Sequence, residues 1–179
     1  MSKAPTKISA GMALSMLDRA VKERVSARQF RESEIAQAVA FFAPDGEELV
    51  CLYCGAKNPT RWDHFIPVSK GGDTVLGNMV RACGSCDDSK QHKTVDEWFA
   101  SKAPKRPYPE RKQQIQKTIQ RYQQHFGYVP RDFLSKLSEQ EAIVYKEFRR
   151  RVEELRDFLS QQGFLGVQVA TASDEDDPS

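Results

Sequence analysis

Four cysteines in two Cys-x-x-Cys pairs constrain this 179-residue chain more than any other feature: Cys51 with Cys54, and Cys83 with Cys86. Two residues between thiolates let a tight turn aim both sulfurs at one point. Two such turns supply the tetrahedral sulfur set that Zn²⁺ favours. Gly55 follows the first pair and Gly84 lies inside the second, which eases both turns. The pairs enclose 28 residues, more than a compact zinc ribbon holds, so the ion should close a loop with content of its own. A thioredoxin-like redox motif would be a single pair at a strand-to-helix junction, and neither condition fits. With four protein ligands the site is closed, and its zinc is expected to be structural.

The enclosed stretch reads "DHFIPVSKGGDTVLGN", from Asp63 to Asn78. Successive side chains on a strand point to opposite faces, so Asp63 and His64 can share a site only beside a bulge or turn. Pro67 and Gly71–Gly72 supply such irregularity. Asp87 directly follows the zinc ligand Cys86, so zinc would anchor it within reach of the strand carrying Asp63. Two converging carboxylates suit a hard divalent ion such as Mg²⁺ or Mn²⁺. A histidine beside that ion can act as general base on water. Asp88 competes with Asp87 for the ligand position, because a helix start is uncertain by a residue or so.

The ordered pattern C-x2-C … DH-x2-P-x3-GG-x5-N-x4-C-x2-C-x3-K over residues 51–90 resembles the HNH endonuclease family, with weaker likeness through "TVDEW" to Phe99. The resemblance implies an α+β fold: a small ββα-metal core with a structural four-cysteine zinc site, flanked by N- and C-terminal helices. It implies that His64 is the general base, that Asp63 is a metal ligand and that Asn78 braces the loop and orients the base. Asp87 stands where the family has a second His or an Asn, a departure that shifts preference toward oxygen-loving ions. Lys90 matches a basic position and would contact phosphate. His92 and His125 fit no ligand position. Trp62 and Trp98 are expected in the core around the zinc.

Around this core, residues 1–46 form an N-terminal helical segment and 47–101 the nuclease core. Residues 102–110, with three prolines, form a linker, 111–163 basic helices and 164–179 an acidic, disordered tail. Met12, Met16, Leu17, Ala20 and Val21 recur at helical spacing, as do Ile35, Val39 and Phe42 after a break. "ELVCLYCG", "RWDHFIPV" and "VLGNMVRA" read as extended segments, and a helix should begin at Asp87. Thr94 with Glu97 and Ser138 with Glu141 are capping boxes. Ile115, Ile119, Tyr122 and Phe126 make one apolar stripe. Tyr145, Phe148, Val152, Leu155 and Leu159 make a heptad-like seam, expected to pack on the protein's own helices.

Charge is unevenly placed: 13 basic against 5 acidic residues over 101–151, then 1 against 7 over 152–179. A basic block beside an acidic end suits a polyanionic partner for the middle. No apolar run approaches the ~20 residues of a membrane helix, and the N-terminus does not read as a signal peptide. The expected setting is therefore cytoplasmic, without a membrane partner. The expected function is metal-dependent hydrolysis of DNA, double-stranded by preference, with RNA left open. A homodimer through the C-terminal helices is left open as well. The alternative is a zinc-stabilised nucleic-acid-binding protein with a degenerate nuclease site.

Overall fold

A computed structural model describes residues 9–103 and 106–165. The expected tail from residue 166 onward and the middle of the expected linker, Pro104–Lys105, lie outside the described residues. The centre is a ββα unit. Strand β2 (Arg61–His64) pairs antiparallel with β4 (Met79–Ala82), placing Asp63 opposite Val80 and His64 opposite Met79. Helix α3 (Gly84–Lys90) follows directly. It starts three residues before the expected Asp87, because Cys83 is its N-cap and the cysteine turn is already its first turn. The carbonyl of Cys83 accepts from the backbone N–H of both Cys86 and Asp87.

Two extended segments differ from expectation. "ELVCLYCG" forms no strand: Val50 makes an isolated bridge to Lys57, and Cys51 N–H donates to the Ala56 carbonyl, so the chain curls into a knuckle. "VLGNMVRA" is broken at Gly77, whose φ is +87°. Its start joins β3 (Thr74–Val75), parallel to β1 (Arg28–Gln29).

The described residues form six α-helices. Helix α1 (Ala10–Val25) and α2 (Glu32–Phe42) precede the ββα unit; α4 (Val95–Ala100), α5 (Arg111–His125) and α6 (Glu139–Gln161) follow α3. Both predicted capping boxes form, at Thr94 with Glu97 and at Ser138 with Glu141. One core runs from Ala38 of α2 through Cys51, Tyr53 and Val80 to Trp98 of α4 and Ile115, Ile119 and Tyr122 of α5. The α5 stripe thus seals the back of the cysteine knuckle, and Arg111 at its start donates to the Tyr53 carbonyl at 2.8 Å.

Helix α1 packs on α6 through a face that apolar periodicity does not mark. Met12, Met16 and Leu17 are about half exposed, whereas Leu14 is buried and Asp18 and Lys22 are nearly so. Asp18 accepts from Lys22 at 3.0 Å, Arg149 at 3.1 Å and Tyr145 at 3.0 Å. The α6 seam therefore packs inward at its first half, where Val152 is buried, while Leu155 is 45% exposed. Among the described residues no helix is long and apolar enough to cross a membrane.

Candidate active site

The loop between β2 and β4 is shaped by Asn78 and two glycines. Asn78 is fully buried. Its Oδ1 accepts from Ile66 N–H at 2.8 Å, and its Nδ2 donates to the carbonyls of Ile66 at 3.0 Å and Asp73 at 2.7 Å. One side chain thus ties both ends of the loop. Gly71 has φ +91°, and a Cβ there would lie 2.8 Å from the Arg131 carbonyl oxygen. A Cβ on Gly72 would lie 1.7 Å from the Ile66 carbonyl oxygen, so the crossing that Asn78 clamps has no room for any side chain.

The clamped loop delivers Thr74 to His64. Thr74 Oγ1 lies 2.8 Å from His64 Nε2 and fixes the ring. Burial, with the positive charge of Lys90 beside it, pulls the His64 pKa down to about 4, so the imidazole is neutral at pH 7. A neutral ring can accept a proton.

Asp63, next in sequence, is also buried. Its Oδ2 accepts from the Tyr53 hydroxyl at 2.5 Å and pairs with Lys90 Nζ at 2.9 Å. Its Oδ1 has no hydrogen-bond partner among the described residues. Burial pushes the Asp63 carboxyl above its ordinary pKa, and Lys90 and Tyr53 pull only part of the way back. The sequence set Lys90 against phosphate. The structure places its ammonium inside, at 0% exposure, on Asp63 and on the His64 carbonyl at 2.7 Å. There it holds the Asp63 carboxylate and the strand that bears His64.

Asp87 and Asp88 share one guanidinium, that of Arg61. Asp87 is engaged through Oδ2 at 3.0 Å and has a side chain 29% exposed, against 69% for Asp88. Both line a cleft of about 760 Å³ with Asp63, His64, Trp62 and Arg19. The structure thus brings Asp63, His64 and Asp87 to one cavity, with Asn78 behind it as a brace. His92 is exposed at the rim of the same cleft, and His125 stacks at 5.3 Å on Phe41, away from it. Trp98 is fully buried as expected, while Trp62 is half-buried between the edge of Phe30 and the Arg81 guanidinium.

The four cysteines form the convergent cluster of metal-ligand side chains among the described residues, with all sulfurs within 4.8 Å of one another. The Cys54 and Cys83 sulfurs are 3.7 Å apart. Sulfurs at the corners of a tetrahedron with Zn–S bonds of about 2.3 Å are separated by roughly 3.8 Å, so the quartet fits that ion. The Cys86 thiol donates to Cys51, holding the Cys51 pKa down to about 4, and the same bond pushes Cys86 up. Crowded thiols resist further ionisation once one has ionised; a dication removes that resistance.

Three contacts escape a reading of the sequence. Tyr53 lies between the first two cysteines, and its hydroxyl was hidden by its role as an apolar filler. Thr74 is an ordinary loop residue whose contact depends on the loop's closure. Arg19 reaches the cleft from a helix 45 residues upstream of His64, and nothing local signals it.

Comparison with known proteins agrees with this geometry. Residues 51–102 match the sequence model of the HNH endonuclease family, which acts as a nuclease on nucleic acid. No curated protein and no solved structure shows a significant match to the chain. Residues 51–102, less than a third of the chain, are thus similar to the HNH endonuclease family.

Proposed function

We propose that this protein is a metal-dependent endonuclease that hydrolyses DNA phosphodiester bonds with His64 as general base. The observation that carries the reading is a neutral imidazole, fixed at Nε2 by Thr74, in one cleft with the Asp63 and Asp87 carboxylates. The proton of the resting ring is assigned to Nε2, donated to Thr74 Oγ1, which leaves the Nδ1 lone pair for water. His64 takes a proton from water as the water oxygen bonds to phosphorus. The bond to the departing 3′ oxygen breaks and that oxygen takes a proton from solvent water, leaving 5′-phosphate and 3′-hydroxyl ends.

The donor set fits a hard divalent ion. Asp63 and Asp87 each engage protein partners through Oδ2, which leaves Oδ1 for a ligand in the cleft. Mg²⁺ or Mn²⁺ held there would stabilise charge on the phosphate and on the departing oxygen. Asp87, the less exposed of the adjacent pair, is the second ligand rather than Asp88. Each chain offers one such site and would cut one strand. Cutting both would take a second copy, and the exposed Leu155 and Phe158 on α6 offer a surface for a homodimer.

The test is nicking of supercoiled plasmid by the full chain with Mg²⁺, Mn²⁺ or no added divalent ion. His64→Ala should bind DNA and lose cleavage by about 10²-fold or more. Cleavage by His64→Ala at the wild-type rate would refute the role of His64. Metal-independent binding with no cleavage by the wild type would favour a binding protein with a degenerate site.

A further inference from the structure

A phosphodiester approaching this cleft meets an acidic wall. Asp63, Asp87 and Asp88 all line it. The basic residue nearest the reacting centre, Lys90, is fully buried and committed to Asp63 and the His64 carbonyl. Arg61 is committed to Asp87 and Asp88. Phosphate recognition needs a cation free to face solvent.

Arg19 of α1 meets that need. It lines the same cleft, with a side chain 64% exposed. Its Nε donates to Glu23 Oε1 at 2.7 Å, and the other Glu23 oxygen accepts from Arg28 at 2.8 Å. Glu23 thus orients the guanidinium through its inner nitrogen. Both Nη groups of Arg19 have no partner among the described residues, a fork matched to two oxygens of a phosphate. The helix that carries it is fixed to the catalytic loop, because Lys22 donates to the Ser69 carbonyl at 2.9 Å.

We propose that Arg19 is a substrate-binding residue that grips a DNA backbone phosphate through its two free Nη groups, making α1 one wall of the DNA site. Arg19 lies outside the segment matched by the family. The proposal rests on the nuclease reading of the cleft for its substrate, and its test separates the two. Binding of a fluorescent duplex of about 20 base pairs is measured by anisotropy across a salt series, without added divalent ion. The proteins are the zinc-loaded wild type, Arg19→Ala, Arg19→Lys and His64→Ala.

Losing one charge-assisted phosphate contact should weaken binding roughly 10-fold. It should also flatten the log–log salt slope by about 0.9. Arg19→Lys should recover the slope and part of the affinity, since it keeps the charge and loses the fork. His64→Ala should bind as the wild type does. In nicking assays Arg19→Ala should act mainly on KM. Wild-type affinity and slope in Arg19→Ala would overturn the proposal while leaving the nuclease reading intact. A wild type that binds through Arg19 yet never cleaves would overturn the nuclease reading and leave the phosphate contact standing. A duplex that the wild type does not bind would sink both.

Discussion

Replacing Lys90 by methionine separates two roles for a buried cation. The Lys90 and Asp63 side chains are 0% and 8% exposed and 2.9 Å apart. An ion pair at the surface would contribute at most about 1 kcal/mol. Removing one partner of a buried pair instead strands the other charge, at a cost of about 3–5 kcal/mol. Methionine keeps most of the lysine stem, so little of that loss comes from a cavity. The bond to the His64 carbonyl adds about 1 kcal/mol. Set against a typical stability of about 5–15 kcal/mol, the variant should unfold at much lower urea. Asp63→Asn in the Lys90→Met background should recover most of the loss, because an amide keeps the Tyr53 bond and carries no charge. The assay is urea unfolding of the zinc-loaded proteins at pH 7, read as a double-mutant cycle. A loss below about 1 kcal/mol, or two substitutions that simply add, would refute the argument. A Lys90 that worked on phosphate would give the opposite pattern: unchanged stability and weaker, less salt-sensitive DNA binding.

Three further outcomes are expected. Gln91 ends α3 at φ +52° and ψ −127°, a conformation strained for any residue with a Cβ, so Gln91→Gly should stabilise by about 1 kcal/mol and raise Tm by about 2–4 °C in a thermal melt. Purified protein should carry about one zinc per chain by elemental analysis, and Cys83→Ser should lower zinc, Tm and nicking together, because Cys83 caps the helix that bears Asp87 and Lys90. Burial raises the Asp18 carboxyl, but bonds from Lys22, Arg149 and Tyr145 outweigh it and hold the pKa below its ordinary value. That stabilisation is therefore complete above the unfolded value of about 3.9 and lost as pH falls below it. The urea-midpoint gap between wild type and Asp18→Asn should be open at pH 7 and close toward pH 3; loss of zinc in acid affects both proteins and cancels in the difference.

The convergence of the four cysteines, the place of Asn78 in the loop and both capping boxes were legible because each depends on residues close in sequence. Thr94 and Ser138 reach three residues ahead, and a Cys-x-x-Cys turn needs no partner to be recognised. Boundaries beside the zinc were less legible, since an intended strand before Cys51 and an intended helix start at Asp87 both yield to knuckle geometry. The packing face of α1 was not legible for a different reason. Periodicity counts apolar side chains, and this helix buries Asp18 and Lys22 while leaving Met12 and Met16 at the surface. Lys90 escaped likewise: a basic residue four positions after a zinc ligand suggests solvent, and its burial depends on Tyr53 and Asp63 arriving from elsewhere in the chain.

The loop from Ser69 to Thr74 is held from outside the ββα unit on two sides. Lys22 and the backbone of Ala27 grip it from α1 and the turn that follows. Lys136 pairs with Asp73 at 2.7 Å from the other side, and Tyr128 donates to the same carboxylate. Mechanically, this is a continuous load path. A force applied at Arg19 runs down α1 to Lys22, through the following turn to Ala27, across to Asp73, and on to Thr74 and the His64 ring. The counter-support comes from Lys136, just before α6. If Arg19 grips a strand as proposed, tension would be delivered to the hydrogen bond on the His64 ring, so that gripping the backbone and orienting that ring would form one mechanical event.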